Sequence, residues 1–81
     1  MKSDIMEVEE LKKGAADTYL KNREMANRFL KQADDLVNID PFKVIDLRGR
    51  AIGLMEANQN LAECLWSHGF SIDVYMQANL A

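Results

Sequence analysis

Apolar residues recur along the first half of the chain at Ile5, Val8, Ala15, Tyr19, Ala26, Phe29, Ala33 and Leu36, in steps of three, four or seven. Leu30 and Val37 widen the stripe. That spacing belongs to one face of a helix and predicts an element over about 4–38, roughly 50 Å long at the α-helical rise. Ser3 or Asp4 is placed to cap it, and Glu7, Glu9 and Glu10 suit its positive N-terminal end. Lys13, Lys21, Glu24, Arg28, Lys31 and Asp35 fall on the opposite face, with Glu24–Arg28 and Lys31–Asp35 spaced as i,i+4 pairs. Each such pair contributes only a few tenths of a kcal/mol, so the row describes a solvated face and not a site. Gly14 costs about 1 kcal/mol relative to alanine in a helix interior, which makes it the point where this helix is open to a break.

Asn38-Ile39-Asp40-Pro41 is the clearest turn signal. Asp40 is a favourable N-cap, Pro41 fits the first helical position, and the residue before a proline resists the α region. A second helix is predicted from about 41 to about 68, with Gly69 as a left-handed stop. Its apolar positions Val44, Leu47, Ala51, Leu54, Leu61 and Leu65 follow a seven-residue repeat broken once, at Asn58; Ile52, Met55, Ala62 and Trp66 lie alongside. After Gly69, Ser71 can cap a short third helix over about 71–80 in which Ile72, Tyr75, Met76 and Leu80 share a face. Alternation at period two is absent, so the fold class is all-α. Two long helices joined by a short turn must lie antiparallel. The expected architecture is one domain over 1–81, an antiparallel helical hairpin with a short C-terminal helix, which dimerisation would complete to a bundle.

Charge changes this picture more than composition does. All ten Lys and Arg residues lie in the first fifty positions, while Ala51 onward carries only Glu56, Glu63 and Asp73. A surface normally needs interspersed charge to stay apart from its neighbours. The C-terminal region is therefore expected to be covered, by the rest of the chain or by another chain. A net charge of −3 weighs against a nucleic-acid binder, which usually concentrates basic residues on one face. The single cysteine cannot form an internal disulfide, and an unpaired Cys64 suits a reducing compartment. Together with an N-terminus lacking the apolar core of a signal peptide, this points to a cytoplasmic protein. The chain has no apolar run long enough to span a bilayer.

Candidate chemistry is sparse. Cys64 and His68 are spaced for one helix face, but two ligands make half a metal site, and a Cys–His nucleophile needs an orienting group as well. A structural role for both is favoured; no catalytic, cofactor-binding or metal-ligating residue is assigned, and no enzymatic activity is expected. Lys43, Arg48 and Arg50 form a local basic group that a small dimeric DNA-binding regulator would direct at phosphates. Gly49, Gly53 and Ala57 form a line of small residues whose propensity cost, about 2 kcal/mol for the two glycines, suggests close approach of another helix. Asn58 sits either in the seam, where a polar residue fixes register or oligomeric state, or at its edge in water. Trp66, Phe70, Tyr75 and Met76 cluster near the C-terminus, where they serve either a core or an interface.

Ala26-Asn27-Arg28-Phe29-Leu30-Lys31-Gln32-Ala33, followed by Asp40-Pro41, resembles the second helix of a tetratricopeptide repeat. The proline comes late for that repeat, the aromatic and glycine pattern of its first helix is missing, and there is no second copy. In design, a small acidic hairpin with an uncharged apolar half, the chain resembles small chaperones of type III secretion systems and phage-encoded inhibitors. That likeness is architectural and includes no shared motif. The expected function is a protein-interaction module, an adaptor, small chaperone or inhibitor, that self-associates as a dimer. The expected contact residues are Leu54, Leu61, Leu65, Trp66, Tyr75 and Met76, with Gly49 and Gly53 permitting close approach.

Overall fold

The computed structural model describes the backbone of residues 2–80 and the side chains of residues 8–78. The apolar roles expected of Ile5 and Leu80 lie outside the described side chains. Three helices follow in order, α1 (Lys2–Leu36), α2 (Pro41–Ser67) and α3 (Ile72–Leu80), with no strand among the described residues. α1 and α2 pack side by side as an antiparallel hairpin, and the short α3 packs less extensively against both. The hairpin gives the chain dimensions of 57 × 23 × 18 Å and a radius of gyration of 16.2 Å. A compact domain of this length would have a radius near ~12 Å. The molecule is a rod.

The ends of α2 follow from local chemistry. Asp40 Oδ1 accepts a hydrogen bond from the Lys43 backbone N–H at 3.1 Å, and Pro41 occupies the first turn, where a missing N–H costs nothing. At the other end Gly69 has φ +81°. The Phe70 N–H donates to the Leu65 carbonyl and the Gly69 N–H to the Trp66 carbonyl, both at 2.9 Å. This six-to-one and five-to-two pair satisfies carbonyls that the helix end leaves open, and it needs the left-handed residue that glycine supplies. Ser71 Oγ then accepts from the Val74 N–H at 3.3 Å and starts α3.

α1 departs from expectation at both ends. It begins at Lys2, so Ser3 and Asp4 lie within its first turn and neither caps it. It stops at Leu36, two residues short of Asn38, because the Leu36 carbonyl accepts from both Ile39 and Asp40 N–H at 2.9 Å and closes the turn early. Gly14 does not break it. The ion pairs also differ: among the described residues they are Lys12–Glu9 at 3.4 Å and Arg50–Asp46 at 3.1 Å, not Glu24–Arg28 or Lys31–Asp35.

The seam between α1 and α2 is built from small side chains. Ala16, Ala26, Ala33 and Ala51 are buried, along with Val44, Leu47 and, on α3, Ile72. Alanine at facing positions brings helix axes toward the short end of the usual 8–10 Å range. It also limits how much apolar area the chain removes from water: no large side chain is fully buried. The tightest cluster, Ala33, Val44 and Leu47 with Phe29 and Leu36 packed against it, lies beside the turn. Val8, expected on the covered stripe, is 48% exposed. α1 has 35 residues to the 27 of α2, so its first turns run past the end of its partner and lack a surface to pack on.

Candidate interaction surface

The seven-residue row of α2 turns toward α1. Val44, Leu47, Ala51 and Asn58 are buried on it, and Leu54, Leu61 and Leu65 are half-buried. The three leucines expected to meet a partner thus spend most of their surface inside the hairpin. Trp66, one residue further round the helix, is 70% exposed. Tyr75 and Met76 on α3 are half-buried, and the Tyr75 ring meets Phe70 edge to face, with centroids 5.5 Å apart. Lys12 Nζ lies 5.4 Å from the centre of the Phe70 ring, which ties this C-terminal cluster to α1.

Gly49, Gly53 and Ala57 are exposed, and a Cβ added at either glycine would meet nothing within 4 Å. The two glycines therefore do not admit α1, and any close approach they permit would be to a helix from outside the chain. Asn58 occupies the seam. It accepts a hydrogen bond from Asn22 Nδ2 at 3.0 Å and donates one through Nδ2 to the Tyr19 carbonyl at 2.9 Å. No buried side-chain polar atom is left without a partner among the described residues.

Sequence reasoning missed part of the apolar surface. Phe42 (83% exposed) and Ile45 (69%) join Ile52, Met55 and Trp66 on the uncovered side of α2. The signal was present as a second three-four spacing, one residue out of step with the seam row. Next to it, between the two long helices, runs an open groove of about 490 Å³ whose floor is Ala26, Met55 and Ala62 and whose rim carries Tyr19, Arg23, Asn27, Asn58 and Gln59. The rim is polar with a single cation and offers no convergent set of acids, bases or nucleophiles.

The remaining candidate chemistry does not assemble. The His68 Nδ1 lies 2.9 Å from the Cys64 backbone carbonyl, not at the thiol, and Ser67 Oγ donates to the same carbonyl at 2.7 Å. These three groups finish the helix end. No group of three or more His, Cys, Asp or Glu side chains is arranged to hold a metal among the described residues. Lys43 and Arg50 share a face, Arg50 is paired with Asp46, and Arg48 points elsewhere, so the basic group does not form one patch. No helix is long and apolar enough to cross a membrane among the described residues. No protein-family model matches the chain, and neither a curated protein nor a solved structure is significantly similar to it.

Proposed function

We propose that this chain is a protein-interaction module, an adaptor, small chaperone or inhibitor that occludes or stabilises a partner protein, and that it associates with itself. It would carry out no catalytic step. One observation supports this most: Trp66 is 70% exposed beside Ile52 and Met55, in a region without a lysine or arginine. Exposed tryptophan is enriched where proteins meet, since it removes a large apolar area from water on contact at little entropic cost. A small dimeric DNA-binding regulator has less support, because Arg48 lies off the face that Lys43 and Arg50 share.

The test is the solution mass of the 9.2 kDa chain, measured by light scattering across a tenfold dilution, for the native protein and for Trp66→Ala. A mass near twice that of the chain, lowered by the substitution at an exposed site that leaves helix content intact, is the expected result. A monomer at every concentration would remove self-association and leave a foreign partner as the occupant of the surface. Cooperative, salt-sensitive binding to duplex DNA, lost on Arg48→Ala with Arg50→Ala, would replace the proposal with the regulator.

A further inference from the structure

α2 carries two seven-residue rows. The first faces α1. The second, shifted by one residue, runs Ile45, Arg48, Ile52, Met55, Gln59 and Trp66, and α1 leaves it open: Ile45 is 69% exposed, Ile52 53%, Met55 46% and Trp66 70%. A helix with apolar rows on two adjacent sides is a helix with two neighbours. Only one of them is in this chain.

The second row is complementary to itself when turned end for end. Place a two-fold axis beside Met55 and Glu56, and Ile45 comes opposite the partner's Trp66, Ile52 opposite the partner's Gln59, and Arg48 opposite the partner's Glu63. Both charges on this strip are then neutralised across the axis, twice, by symmetry. Within the chain, Arg48 has no ion pair among the described residues, and Glu63 is exposed with only the Gln59 amide at 3.3 Å. Glu56 lies one step outward from Met55, on the exposed side of the helix and away from the row.

The surface area agrees with a second copy. The chain exposes 6311 Å², against ~4,900 Å² for a compact monomer of the same mass. The excess, about 1,400 Å², exceeds the ~800 Å² that each partner contributes to a standard interface and falls in the range of permanent dimers. We infer that α2 pairs antiparallel with α2 of a second copy through the row Ile45–Trp66, with Arg48 and Glu63 bridging the two chains. This rests on the self-association proposed above and assigns it a surface and a register.

Disulfide trapping tests the register in a Cys64→Ser background, which removes the native exposed thiol. Ile45→Cys and Trp66→Cys proteins, mixed and oxidised, are expected to give a covalent dimer, while neither gives one alone. Like positions in the antiparallel pair stand about 31 Å apart, too far for a disulfide. Independently, Arg48→Glu is expected to weaken the dimer at least tenfold, and adding Glu63→Arg to the same chain to restore it. A dimer that neither cross-links in the mixture nor responds to Arg48→Glu would overturn this pairing while leaving self-association standing. A chain that is monomeric at every concentration would overturn both.

Discussion

Asn22 and Asn58 hydrogen-bond side chain to side chain across the hairpin, 3.0 Å apart, in a seam that is otherwise apolar. Asn58 is only 7% exposed, and its amide also donates to the Tyr19 carbonyl. The pair holds at one register only. A slide of either helix by a turn would bury both amides without partners, at a cost of about 1–3 kcal/mol each.

Asn58→Ala is expected to lower stability by about 1–2 kcal/mol in urea unfolding, and a double-mutant cycle with Asn22→Ala to show a coupling of about 1 kcal/mol. Asn58→Leu should behave differently. It completes the apolar row, while Asn22 is only half-buried and can turn to water, so stability is expected to hold or rise. A loss as large as that of the alanine variant would show that the site has no room for leucine.

Glycine substitutions in the same region should take opposite signs. Gly53→Ala adds a methyl group that meets nothing and removes a flexible residue from the middle of a helix, a gain of up to about 1 kcal/mol. For a chain of this size that is roughly 4–8 °C in Tm. Gly69→Ala also meets open space, but at φ +81° the new side chain is strained, and a loss of about 1 kcal/mol is expected. Thermal melts followed by circular dichroism separate the two.

Leu47→Ala removes the largest buried side chain beside the turn and should cost about 2–5 kcal/mol. The whole stability of a chain this long is of the order of 4–12 kcal/mol, so the variant is expected to unfold well below the native midpoint. Phe42→Ala, at a residue 83% exposed on the same helix, should shift the midpoint by less than about 0.5 kcal/mol.

The hairpin, its turn and the stop at Gly69 were legible because each is written in local chemistry: an Asp-Pro start, a glycine end and a regular apolar spacing between them. The contact surface was legible only in part. Leu54, Leu61 and Leu65 have the spacing of any apolar row, and only the position of α1 shows that they face inward while Ile45 and Trp66 do not. Periodicity gives the number of apolar rows on a helix, not which row has a neighbour. The exposure of Val8 was hidden for a related reason. Its spacing matches the seam, but the mismatch in length between α1 and α2 leaves it nothing to pack on.

The tight cluster of Ala33, Val44 and Leu47 sits next to the turn, while the far end of the seam relies on Ala16 and a lightly packed α3. Cohesion along the rod is therefore graded. Backbone amides near the turn should be the slowest to exchange with deuterium, and those in the first turns of α1 and throughout α3 the fastest, with Asn58 near the boundary. The molecule opens like a clasp, from the free end toward the fold.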